Sequence, residues 1–249
     1  MSEIPVPVVP AAPKYKLVTI LLFAQLPILL IAGYLAVSTF SMTSMWATVA
    51  ISMLALLMAL GESKGRVGGI LINERNIMSL SRFQLVAWTL VLCSAFAVVA
   101  VARVAAGVDD PLKIELQPEL WQLLGITGGS SVGAALVIQN KTNKKAAPDE
   151  VTKASAALNE STESIEENSR GLAYGNKNPG DARVTDMFEG DEVANTAYID
   201  MSKVQMFFFT LVCLIAYAVA LGEMMSTTAL KDFTSFPTLD SGLLALLGI

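Results

Sequence analysis

"SRFQLVAWTLVLCSAFAV", residues 81–98, returns 121 residues later as "SKVQMFFFTLVCLIAYAV", residues 202–219. Eight of the eighteen positions are identical without a gap. Both copies are apolar runs that open on Ser-x-x-Gln. This is the form of a capping box, in which the two side chains satisfy backbone N–H groups that a first helical turn leaves without partners. Ser81 with Gln84, and Ser202 with Gln205, are therefore expected to cap two helices. Unpaired N–H groups are costly in hydrocarbon, so such a start suits a helix entering a membrane.

A second match follows each copy. "LWQLLGI", residues 120–126, aligns with "LLALLGI", residues 243–249. The repeated unit thus reads as a two-helix hairpin: a capped helix, an outer loop, and a helix returning through Leu-Leu-Gly-Ile. Two such units in one chain keep the same orientation, which makes the duplication parallel.

Composition places these hairpins in a bilayer. The apolar set makes up 53% of the chain and charged residues 16%, against about a quarter charged in an ordinary soluble domain. From Leu17 to Gly61 there is no Asp, Glu, Lys or Arg over forty-five residues. Roughly 20 apolar residues cross a bilayer, so this stretch reads as two spans and a turn. The expected fold class is an all-α integral membrane protein: a helical bundle of two tandem two-helix repeats with an N-terminal helical hairpin.

The segments are a Pro-rich leader (1–16), the N-terminal hairpin (17–61), a connector (62–83), the first repeat (84–140), an acidic loop (141–200) and the second repeat (201–249). Spans are expected at Leu17–Phe40, Met45–Leu60, Gln84–Ala106, Pro118–Ile138 and Val204–Met225. A sixth apolar segment starts near Phe236 and is too short for a ~30 Å hydrocarbon core, so it reads as truncated. With the N terminus in the cytoplasm, fourteen of the seventeen Lys and Arg fall inside, leaving Arg103, Lys113 and Lys231 outside. The positive-inside rule therefore sets a multi-pass topology with a cytoplasmic N terminus, expected in a bacterial inner membrane.

Chemistry-bearing residues are scarce. Histidine is absent, and Cys93 and Cys213 lie in apolar runs. There is no phosphate-cradling loop, nucleophile with its base, or cluster of metal-ligand spacing. Catalysis, cofactors and metal are not expected, and an acidic main loop argues against nucleic acid.

Three constellations remain. Gly125, Gly129 and Gly133 recur every four residues as a glycine zipper, with Thr127, Ser130 and Ser131 among them. They fit packing within one subunit, an oligomer seam or a pore wall. Arg103 and Glu223, near the outer ends of two spans, form a candidate ion pair. Asp186, Glu189, Asp191 and Glu192 crowd around Phe188 as a candidate docking surface for a cytosolic protein.

Upstream of that cluster, residues 148–171 read as a solvated helix. Residues 68–82 read as a plain connector or as a small hairpin or lip around Asn73-Glu74-Arg75-Asn76. The expected function is a non-catalytic polytopic membrane protein, an oligomeric scaffold or anchor in contact with lipid and with copies of itself. The alternative is an ion channel or pore subunit lined by the Gly/Ser/Thr face of the fourth helix.

Overall fold

The computed structural model describes residues 15–63, 65–124 and 144–248. Gly125, Thr127, Gly129, Ser130, Ser131 and Gly133 lie outside the described residues, as does most of the segment expected to span from Pro118. The described helices are α1 (Tyr15–Ser38), α2 (Met42–Ser63), α3 (Leu80–Ala105), α4 (Pro118–Leu123), α5 (Pro148–Leu158), α6 (Thr162–Asn168), α7 (Met201–Thr227) and α8 (Ser241–Leu246). A two-stranded antiparallel ribbon, β1 (Ser169–Arg170) and β2 (Ala173–Tyr174), follows α6. Four helices, α1, α2, α3 and α7, are long and apolar enough to cross a membrane, which is compatible with a multi-pass membrane protein.

The starts of α3 and α7 differ from expectation. Ser79 caps α3, its side chain accepting from the Arg82 N–H at 3.5 Å. Asp200 caps α7, accepting from the Ser202 N–H at 2.9 Å. Each has the extended backbone that an N-cap needs,. Ser81 and Ser202 already lie within the first turn, so they are not the caps, and Gln84 instead donates to Thr210 and Leu247.

α3 is the axis of the bundle. Trp88, Leu92, Ala95, Val98 and Val99 are fully buried in the main core, together with Val49 of α2 and Leu221 of α7. Short polar links pin the neighbouring helices. Gln25 of α1 donates to the Ser52 carbonyl and hydroxyl of α2. Trp46 of α2 donates to Ser94 Oγ of α3 at 2.8 Å, and Thr43 donates to the Gly222 carbonyl of α7. Gly33 lets α1 approach α3 closely, since a Cβ there would run into the Val101 side chain,.

The loops after α3 and α7 do not stay outside the bundle. The chain after α7 runs back along α3 as extended backbone before it forms α8. Its Phe233 and Phe236 are 0% and 1% exposed, and Phe236 stacks on Phe96 with ring centroids 6.5 Å apart. The Pro237 carbonyl accepts from Tyr217 Oη. The Leu247 carbonyl, just after α8, accepts from Gln84, twelve residues or ~18 Å further down α3 than Phe96,.

The segment after α3 joins this one edge to edge. The Glu115 N–H donates to the Thr234 carbonyl at 2.7 Å, and the Phe236 N–H donates to the Glu115 carbonyl at 3.2 Å. The apolar stretch near Phe236 is therefore an extended run followed by a six-residue helix rather than a continuous one. Pro237 and the Asp240 cap account for this, since proline disfavours helix before itself and Asp240 starts one after,.

Arg103 organises both loops. It is 2% exposed, and its guanidinium donates to the carbonyls of Asp110 and Pro111 on one loop and Leu230 and Phe233 on the other. Glu223 is exposed and makes no ion pair with Arg103 among the described residues. The expected pair is thus replaced by four backbone acceptors. Carbonyls that have left regular structure need donors when buried, and arginine carries five.

Removing that donor should unseat both loops. Arg103→Leu is expected to lower stability in detergent by about 3 kcal/mol, with Arg103→Lys losing less. Glu223→Gln should be near neutral, and the double variant additive, when thermal or denaturant unfolding is followed.

Candidate functional site

The acidic loop folds into a lobe with its own small core of Val151, Ala154, Ile165 and Val193. The expected single helix over 148–171 is broken at Asn159, whose φ is 56°, and restarts at the Ser161 cap. That break folds α6 back on α5, so Val151 and Ile165 meet in a core instead of lining one solvated face.

A second core joins lobe to bundle. Ile72, Met78 and Leu80 pack on Ala182 and Met187, with Phe83, Phe188 and Phe207 around them. Of the two readings of the connector, the small hairpin is the one observed, with Ile72 bridged to Met78 and Asn76 at φ 59° in its turn. Its tip reaches into the lobe. The Asn76 side chain donates to the carbonyls of Asn176 and Lys177, and Asn176 returns a bond to the Asn76 carbonyl. Gly175 makes room, because a Cβ there would collide with the Arg75 carbonyl.

Charged groups complete the clamp. Arg75 donates to the Tyr174 and Asp191 carbonyls and forms a 2.6 Å ion pair with the Asp191 carboxylate. Lys203, in the first turn of α7, meets the other Asp191 oxygen at 3.0 Å and donates to the Glu189 carbonyl. Arg66 donates to the Gly180 and Ala182 carbonyls. Burial raises the Asp191 pKa, but hydrogen bonds from Arg75 and Lys203 and their charges outweigh it, so the carboxyl is held below its ordinary value of 3.8.

The residues expected to form a docking surface are thus largely engaged inside the molecule. Asp186 is buried and accepts from the Met78 and Arg183 N–H groups. Phe188 packs edge-on to Phe207 at 5.2 Å. Asp191 is the clamp. Glu189 and Glu192 are half-buried, Glu189 giving its carbonyl to Lys203 and Glu192 its amide to Asn195.

Between the underside of the lobe and the first turns of α3 and α7 lies a cleft of about 840 Å³. Its polar wall carries Arg75, Arg82, Arg170 and Lys203, and its deep end carries Gln84, Leu247 and Gly248. Gln84 is 6% exposed and donates to Thr210 Oγ1 at 2.8 Å as well as to Leu247. Gln205, which the sequence alignment pairs with it, is exposed. A basic residue and an amide in each first turn were visible in the sequence, but the cleft between them was not, because its walls join the connector and start of α3 to Arg170 and α7, which lie about ninety residues or more further along the chain. Comparison with protein-family models, with curated proteins and with solved structures finds no match for this chain.

Two outcomes follow from this geometry. A carboxylate held below its ordinary pKa stabilises the fold above that value and loses the contribution as pH falls through the lower folded value. Hydrogen exchange across 144–200 should therefore rise below about pH 4 while α3 stays protected, and Asp191→Asn should produce part of this opening at neutral pH,. Asp191 is 43% exposed, so screening holds its share to about 1 kcal/mol,. Gln84→Leu should cost about 2 kcal/mol in unfolding experiments, whereas Gln205→Leu should be close to neutral.

Proposed function

We propose that this chain is a non-catalytic multi-pass membrane protein of a bacterial inner membrane, an oligomeric scaffold or anchor with its N terminus and lobe in the cytoplasm. The observation that carries the reading is the clamp. Arg66, Arg75, Asn76 and Lys203 hold the lobe at a fixed attitude to the helices through hydrogen bonds and an ion-paired carboxylate. A tether needs no such fixing; a platform does.

Since Asp186, Phe188 and Asp191 serve the clamp, the face offered to a cytosolic protein is the outer edge of α5 and α6. Asp149, Glu163, Glu166 and Glu167 are exposed there. Phe208, Val212, Ile215 and Val219 form an exposed apolar stripe on α7 at helical spacing, suited to lipid or a second copy,. The distribution of Lys and Arg supports the orientation.

The tandem-repeat reading has local support. α3 and α7 start 121 residues apart, at positions the sequence alignment pairs. Phe96 and Tyr217, also paired, both touch the Phe236–Pro237 stretch. The paired Gln84 and Gln205 differ in burial, the first enclosed and the second exposed.

One observation favours a second reading, an ion channel or pore subunit. Two paired extended segments run inside the bundle, and non-helical backbone at membrane depth is tolerated where protein buries it or a water-filled cavity receives it.

Orientation and function separate in two measurements. A membrane-impermeant maleimide should label Glu150→Cys only after cells are opened, and the purified chain should scatter light as a multiple of its own mass. Labelling in intact cells would reverse the topology. Ion flux from liposomes carrying the purified chain would replace the scaffold with a pore.

A further inference from the structure

The clamp does not use all of the cleft's polar wall. Arg75, Lys203, Asp186 and Asp191 are satisfied by one another and by backbone groups. Arg82 pairs with Glu74 at 3.3 Å with both side chains exposed, a contact of little strength that exchanges readily,. Arg170 is exposed and has no ion pair among the described residues. Both guanidiniums border the same cleft.

Two further features face that space. The first amides of α3, at Leu80 and Ser81, have no acceptor among the described residues, and they sit at the positive end of a 26-residue helix,. Gln84 lines the deep end with its Nε2 committed to Thr210 and Leu247, while no donor meets its Oε1 among the described residues. Below lies an apolar floor of Leu85, Met206 and Leu247.

The chemistry of this arrangement is specific. Guanidinium forks and helix-start amides recognise phosphate oxygens. The carbonyl of Gln84 is placed to accept from a hydroxyl, and the floor to receive apolar atoms. We propose that the cleft binds a phosphate ester, with Arg82 and Arg170 on the phosphate and Gln84 on a neighbouring hydroxyl. An anionic phospholipid headgroup and a soluble phosphate share that chemistry. The position at the first turns of two apolar helices favours the lipid.

The test uses the full chain in neutral detergent. Phosphatidylglycerol, phosphatidylcholine and inorganic phosphate are added separately at matched ionic strength, and the thermal midpoint is followed. Phosphatidylglycerol should raise the midpoint, with an apparent affinity that falls at least about tenfold in R82Q/R170Q and is unchanged in K153Q, which lies outside the cleft,.

Stabilisation by inorganic phosphate, competing with the lipid, would identify the soluble source. Protection by phosphatidylglycerol that phosphate does not displace would identify the lipid. R170Q alone, at a position with no ion pair to lose, keeps the experiment readable if the double variant folds poorly; its loss of phosphatidylglycerol retained in native mass spectra is the expected result. Equal effects of the two lipids with none from phosphate, or full phosphatidylglycerol binding by R170Q and R82Q/R170Q, would overturn the proposal.

Discussion

A guanidinium almost fully withdrawn from solvent, donating to four backbone carbonyls on two different loops, sets the conditions for the rest of this bundle. Backbone that has left helical geometry inside an apolar interior must find partners or it will not stay there. Arg103 supplies donors at the point where both loops turn inward. The loops then pair with each other through Glu115, and Tyr217 takes the next carbonyl at Pro237. With those groups satisfied, Phe233 and Phe236 can be buried against α3 and the chain can reach Gln84.

At the other end of α3 and α7 the problem is reversed. There a polar lobe must be fixed to the ends of apolar helices, and water competes for every contact. The solution combines an apolar seam, Ile72, Met78, Leu80, Ala182 and Met187, with a shared carboxylate. Asp191 is held by two cations from separate elements, so the connector hairpin and the start of α7 are bound to one point. The seam contributes burial and the ion pairs fix the attitude.

The two aligned segments differ in their surroundings for a physical reason. Gln84 and Gln205 begin from equivalent positions, yet one is buried against Thr210 and Leu247 and the other is exposed. A buried amide is kept only where acceptors converge on it. Those acceptors come from α7 and the end of α8, which both pack at the start of α3.

Much of the architecture was legible along the chain. The long charge-free stretch, the apolar runs and the recurrence of one segment depend on composition and spacing, and they placed α1, α2, α3 and α7 within a few residues of where they lie. The caps were misassigned by two positions because Ser79 and Ser81 offer the same chemistry, and only backbone angles separate an N-cap from a first-turn residue. Asp186, Phe188 and Asp191 read as a surface because their partners, Met78, Phe207, Arg75 and Lys203, are close in space and not in sequence. Arg103 was singled out as one half of an ion pair with Glu223, but it is buried and its acceptors are backbone carbonyls, which no residue letter reveals. Hydrophobic burial over long helices is written into local composition and can be read from it. Which loop turns inward, which carboxylate faces a cation and which glutamine is enclosed depend on contacts between distant segments, and these exist only once the chain has folded.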